Sequence, residues 1–270
     1  MTINGQRTMY GIHVELSRLL GKEYTPLANT TLNEKFDIIP NIELADSLYP
    51  TLGYYAIGVG GDPIIVGNPG YTYSKHSPVD AALFKHVPFL MRTLTNDLSN
   101  DERSAYRLRV IETINNVDYA CYYLKAIPLI ELRDYFYKIV TVNDETVLRV
   151  FTTDTDKLLN PVPQTRSVDT TDITTSNYVT NIAKLKFALT LTEMEDLKTV
   201  FSLRGISELK ITEIGLVMGI DQTQADGLPE LAVAQISHHV EVSLDLAVQL
   251  ANAESIVRAI EIGGSEPLLL

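Results

Sequence analysis

The chain has one cysteine, no tryptophan and only 22 basic residues against 34 acidic ones in a length of 270. Each shortage excludes something. Cys121 alone forbids an intrachain disulfide and cannot by itself build a thiolate metal site, so the core must hold by packing. A formal net charge of −12 and a pI near 4.8 repel phosphate backbones, and no basic stripe offsets them, so specific nucleic-acid binding is not expected. Apolar runs fall far short of the ~20 residues that cross a bilayer, so no membrane role is expected. The residues after Met1, including Thr2, Asn4, Gln6 and Arg7, are too polar for a signal peptide, and a soluble protein made in the cytoplasm is expected. What is present is apolar content: 45% of residues are hydrophobic, enough for a sizeable core.

Composition divides the chain. The first ~100 residues hold most of the glycine and proline, and the last ~90 read as long strands rich in Val, Ile, Leu and Thr. Asp154 to Asn177, with Pro161 and Pro163 among Asp, Thr, Ser and Asn, is the linker candidate. The expected domains are therefore a loop-rich α+β part over 1–153 with two β-hairpins, a linker over 154–177, and an antiparallel β-sandwich-like module over 178–270. The fold class is mainly β with a few short helices.

Local patterns place the elements. Ile12, Leu16, Leu19 and Leu20 share a helical face that stops at Gly21. Short strands are expected at Tyr54 to Val59 and Ile64 to Val66, and a helix over Asp80 to Leu90 that Pro88 ends or kinks. Ser99 and Glu102 have capping-box spacing. Tyr106 to Ile111 and Tyr119 to Leu124 flank Asn115 and Asn116, a hairpin signal, and Phe136 to Val142 with Thr146 to Phe151 flank Asn143 and Asp144 in the same way. Lys184 to Leu191 alternates as a half-buried strand. Thr192 and Glu195 then have capping-box spacing before a helical face of Met194, Leu197 and Phe201 that ends at Gly205. Leu209 and Ile211 conflict in parity with Ile214, Leu216, Met218 and Ile220, which predicts a bulge near Thr212 and Glu213. Val240 to Val248 and Ile256 to Ile262 read as two more strands.

Chemistry-bearing motifs are sparse. Gly58, Gly60 and Gly61 lack the G-x-G-x-x-G spacing, and Asp62, Pro63 and β-branched residues follow where a phosphate-binding helix should start, so they read as turn glycines supplying unusual φ. His238 and His239 are adjacent in a strand and leave opposite faces, which prevents joint chelation. His76, Asp80 and His86 are the only arguable metal group, and no ligand spacing supports them. No G-x-S-x-G is present, and the acidic residues specify no catalytic pair, so no enzymatic role, cofactor or metal is expected. Arg92, Arg103, Arg107 and Arg109 lie among Asp97, Asp101 and Glu102, which favours an ion-pair network, within or between subunits, over a phosphate track.

Two stretches carry a resemblance. His76 to Phe84, followed by Pro88, Phe89, Arg92, Asn96, Asp97, Leu98, Arg103, Tyr106 and Arg109, resembles an N-terminal pattern of virion structural proteins of contractile-tailed bacteriophages. Ile211 to Leu216, with Ala234, Gln235 and Ile236, is similar to a β-module of phage tail, collar and baseplate proteins. The resemblance implies a virion subunit that assembles with copies of itself and other virion proteins. A ring at the neck or collar is the leading reading and a baseplate or fibre-attachment component the alternative. In a neck ring, a negative lumen would let DNA pass without sticking. Arg92, Arg103, Arg107 and Arg109 are interface candidates, as are Pro267, Leu268, Leu269 and Leu270, an apolar tip that needs a docking site on its own fold or a neighbour. Two other classes compete. A glycan- or ligand-binding module rests on 14 tyrosines and is weakened by the missing tryptophan, and a metal-dependent hydrolase would use His76, Asp80 and His86.

Overall fold

The computed structural model describes residues 5–38, 48–61, 63–65, 71–73, 75–132, 136–143, 145–151, 159–160, 178–179, 182–223 and 227–263. The chain is mainly β with short helices, as its patterning predicts. It separates into two compact units, one of residues 1–127 with 188–256 and the other of 128–187 with 257–270. This differs from the expected division at 153 and 178. The cause is strand pairing over long sequence separations, which brings residues 5–7 and 51–58 into one sheet with residues 210–245. Most of the expected linker, and the tip Pro267 to Leu270, lie outside the described residues.

In the larger unit one eight-stranded sheet dominates. Its path is β1 (Gly5–Arg7), β15 (Pro229–Asp245), β14 (Lys210–Thr223), β2 (Thr51–Gly58), β8 (Val117–Ala126) and β6 (Leu90–Thr93). Off this path, β5 (His86–Val87) pairs with β2, and β7 (Tyr106–Ile114) pairs with β8. A separate ribbon joins β3 (Pro63–Ile65) to β4 (Tyr71–Tyr73). The long C-terminal strands therefore do not close a module of their own. The smaller unit holds β10 (Phe136–Val142) between β11 (Glu145–Phe151) and β12 (Tyr178–Val179), and a second sheet in the order β16 (Ile256–Gly263), β13 (Ile182–Leu189) and β9 (Ile130–Leu132), with the unit boundary cutting β13 and β16 near their ends.

Both predicted hairpins form. Ile114 pairs with Val117 across Asn115 and Asn116, whose φ values of 51° and 62° suit a two-residue turn matched to strand twist. Val142 pairs with Glu145 in the second, where Asn143 has φ 52°. The register of β14 against β15 shifts between Ile211 and Glu213, at the predicted bulge, and again after Leu216 and Ile220. β14 is buried on both faces over most of its length, however, because it lies in mid-sheet under a covering on each side.

The helices are short: α1 (Met9–Leu19), α2 (Leu32–Lys35), α3 (Asn100–Arg103), α4 (Leu191–Leu203) and α5 (Leu246–Ala251). The box at Ser99 and Glu102 starts α3 as expected. The box of α4 is Thr190 with Glu193, two residues earlier than predicted, so Leu191 is helical. The helix ends at Gly205, φ 62°, with the Ile206 N–H donating to the Phe201 carbonyl at 2.9 Å. Leu246 and Val248 belong to α5 and not to a strand, since the Asp245 carboxylate accepts from the Val248 N–H and starts a helix there.

No helix forms over Asp80 to Leu90, because its amides have other acceptors: the N–H groups of Phe84 and Lys85 donate to Glu213 and that of Leu83 to His86. The stretch of β15 that lacks a second strand partner is likewise satisfied by a side chain. Asn33 accepts from the Ala234 N–H at 2.7 Å and donates to the Leu231 carbonyl at 2.8 Å, standing in for a strand.

Gly11 sets the seating of α1 on β15. A Cβ there would lie 3.0 Å from both Cα and O of Ser237, backbone atoms of a paired strand. Gly11→Val is expected to destabilise the fold by about 2–3 kcal/mol, since overpacking against backbone outweighs the ~0.5 kcal/mol of helix propensity gained over glycine. Urea unfolding checks this, and an unchanged midpoint would contradict the seating.

Candidate functional site

Gly58, which ends β2, and Gly60 and Gly61 just beyond it sit beside the bulge of β14, and both features serve one side chain. Glu213 is 3% exposed. Its Oε1 accepts from the Gly60 N–H at 2.5 Å and the Lys85 N–H at 3.4 Å, and its Oε2 from the Phe84 N–H at 2.9 Å. A Cβ on Gly58 would stand 2.7 Å from Oε1, and one on Gly60 2.5 Å from Cβ of Phe84. These glycines are required for close approach. Neither Gly58, Gly60 nor Gly61 has positive φ, which corrects the expectation that they supply unusual backbone angles. A glycine-lined anion cradle is present, but the anion in it belongs to the chain itself.

His76 completes the cradle. Its Nε2 lies 2.8 Å from Glu213 Oε2 and its Nδ1 3.2 Å from Asp80 Oδ2, so two protons must be shared among the three groups for both contacts to be hydrogen bonds. Phe84 and His239 stack on its two faces, with ring centroids at 3.9 Å and 3.8 Å. His239 donates from Nε2 to the Asp80 carbonyl at 3.0 Å, and burial pushes its pKa down to about 4. His86 accepts the Leu83 N–H at Nε2, 2.9 Å, and burial, aided by Lys35, pushes it down to about 3. His238 leaves the other face of β15, as predicted, and is lowered to about 4 by burial and by Arg7.

Of the proposed metal group, His76 and Asp80 therefore meet, while His86 is committed to a backbone amide. Among the described residues no three or more His, Cys, Asp or Glu side chains are arranged to hold a metal ion. Cys121 is fully buried in β8, and burial pushes its thiol up to about 12, far from a nucleophile's range.

The arginines stitch the chain to itself. Arg92 makes a two-pronged pair with Asp196 of α4 at 2.9 and 3.0 Å. Arg107 pairs with Asp221 at 2.7 Å beneath the carbonyls of Ser104 and Tyr106, and lies over the Tyr54 ring. Arg109 holds Asp97 at 2.6 Å; burial raises that carboxyl, but hydrogen bonds from Tyr122 and Arg109 outweigh it and hold the pKa below the usual range. Arg103 contributes its carbonyl to Arg107. Of the two network readings, the pairs of Arg92, Arg107 and Arg109 fit the one within the chain.

A second buried carboxylate mirrors Glu213. Leu108, within β7, has φ 56°, a costly angle for leucine, and its N–H and that of Arg109 both point at Glu230 of β15, at 2.8 and 3.2 Å. Glu230 thereby ties β7 to the start of β15, joining two parts of the sheet through a carboxylate instead of a ladder.

The exposed chemistry is of another kind. α1 buries Gly11, Val14 and Ser17 against β15 and turns Met9, Ile12, Leu16, Leu19 and Leu20 to solvent, with Leu19 77% exposed and Leu20 66%. The helix predicted from the leucines is present, but its apolar face points outward, because the close seat on β15 admits only the small face.

A family model described as a family of unknown function, DUF7208, matches residues 2–270. The chain belongs to the DUF7208 family. Comparison with curated proteins and with solved structures found no match. In this DUF7208 chain the sequence reading missed Glu213, Glu230 and Met9 as important residues. The usable signal for Glu213 was a carboxylate directly before the apolar run Ile214 to Ile220, a placement that requires a partner; Glu230 opens a strand that also carries Glu241 and Asp245 and gives no such signal. Among the described residues no helix is long and apolar enough to cross a membrane.

Proposed function

We propose that the chain is a structural subunit that acts through protein–protein contacts and closes with copies of itself into a ring. The neck or collar of a contractile-tailed bacteriophage virion is the setting its resemblance implies. The observation that carries this reading is the outward apolar face of α1, set on a frame in which His76, His86 and His239, Arg92, Arg107 and Arg109, and the buried Glu213 and Glu230 are engaged in internal bonds. A continuous apolar stripe in water is unfavourable unless a partner covers it, and a stiff, ion-paired frame suits a part that holds a fixed place in an assembly. The charge of −12 suits a ring whose lumen passes DNA without retaining it.

Negative-stain microscopy of the purified protein is expected to show rings, and virions made without it should be headless tails. Tails that keep their heads but lack the distal plate would move the subunit to the baseplate. A persistent monomer in the purified protein would overturn the reading.

A further inference from the structure

We propose that residues 76–85 form an acid-operated latch, which lifts off the sheet while the sheet itself stays folded. The segment runs from His76 to Lys85 without helix or strand, and side chains and single amides hold it in place of a ladder. Its carbonyls at Pro78 and Lys85 accept from the N–H groups of Met9 and Val59 at 2.9 and 3.0 Å, and that of Val79 accepts from the Tyr10 hydroxyl at 2.6 Å. Its amides at Phe84 and Lys85 donate to Glu213. Of its larger apolar side chains only Leu83 is buried, and Val79 and Phe84 are exposed. Lifting it gives up one apolar anchor and a set of polar contacts, whereas unfolding the sheet gives up the core, and segments of that kind open separately.

Two histidines make the closed latch intolerant of protons. His86 takes the Leu83 N–H on Nε2, so its own proton sits on Nδ1, and a second proton on Nε2 would set donor against donor. His239 donates from Nε2 to the Asp80 carbonyl, and a proton added on Nδ1 would be buried with no acceptor among the described residues. The segment itself helps cover both rings: His76 stacks on His239 at 3.8 Å, and the Leu83 amide caps His86. Charged neighbours do not reverse this. His76, Asp80 and Glu213 face His239; the two carboxylates favour its proton and His76 opposes it, but burial outweighs them. Lys35, His76 and His239 face His86 and all oppose its proton, while Phe36 and Tyr123 pack edge-on against the ring. The closed pKa values of about 4 for His239 and about 3 for His86 lie below the ordinary 6.5. Opening therefore takes up a proton at each ring between about pH 6.5 and 4, and the open form gains as the pH falls through that window. Opening also withdraws the Pro78 and Val79 carbonyls from the first turn of α1, so acid loosens the start of that helix whatever covers its outward face.

Hydrogen exchange of the full chain, read by mass spectrometry at pH 7 and 5 and corrected for the intrinsic pH dependence of exchange, tests this. Peptides from residues 76–85 are expected to be less protected than those from β14 and β15 at both pH values. On going to pH 5 they should lose protection about twentyfold per imidazole, about four hundredfold in all. His239→Gln keeps a donor for the Asp80 carbonyl and His86→Gln an acceptor for the Leu83 amide, and each should leave a loss of about twentyfold. A segment that exchanges in step with β14 and β15, or whose protection is the same at the two pH values, would overturn the proposal. So would either variant retaining the full wild-type dependence.

Discussion

Glu213→Ala is expected to cost about 3–5 kcal/mol of folding stability, the range seen when one member of a buried charged network is removed. The loss leaves the N–H groups of Gly60 and Phe84 and the Nε2 of His76 facing a void, in a place where three glycine backbones have closed too tightly for water to substitute fully. Glu213→Gln keeps one carbonyl oxygen for those amides and should cost less, about 1–3 kcal/mol, so it remains measurable if the alanine variant does not fold. Both are read by urea unfolding followed by far-ultraviolet circular dichroism. Values within ~0.5 kcal/mol of wild type for both would mean the carboxylate does not organise the Gly58 to Gly61 loop.

Acid should unfold the protein earlier than its carboxylates alone would dictate. His86, His239 and His238 have pKa values of about 3, 4 and 4, lowered mainly by burial from an ordinary 6.5. The unfolded chain therefore binds more protons than the folded one between about pH 6.5 and 4, and stability falls as the pH is lowered through that window. Each imidazole contributes a slope of about 1.4 kcal/mol per pH unit, so the three together reach up to ~4 kcal/mol per unit. Unfolding free energies at pH 7.5, 6.0 and 5.0 measure it. His239→Gln keeps a donor for the Asp80 carbonyl and should flatten the slope by one proton. A stability independent of pH over this interval would contradict the burial of all three rings.

How much of this was legible beforehand depended on the range of the interaction. Asn115 and Asn116 declare a turn by their own tolerance of positive φ, and the parity break around Thr212 declares a bulge, because both signals are complete within a few residues. The start of α4 was misplaced by two residues because Thr190 with Glu193 and Thr192 with Glu195 have identical spacing, and only the pair that meets the end of β13 caps. The helix expected over Asp80 to Leu90 had acceptable local chemistry. It lost to a carboxylate 129 residues away that takes the Phe84 amide, which no local window contains.

The same applies to organisation. Composition sets a glycine-rich beginning apart from a strand-rich end, but the pairing of β2 with β14, Gly58 beside Glu213, brings strands of both into one sheet. Register partners of that kind are fixed by side-chain fit in three dimensions and leave no periodicity behind. The outward face of α1 is the most instructive case. Periodicity identified the stripe, and the usual inference sends a stripe inward. Gly11, small and less conspicuous, decides otherwise by permitting closer approach to Ser237 than any leucine could.

The central claim is that this chain works by contact with copies of itself. Sedimentation velocity of the intact wild-type protein over a hundredfold concentration range near neutral pH tests it most directly. The account predicts assemblies of several copies that persist into the low micromolar range, and a single monomeric boundary at every concentration would contradict it.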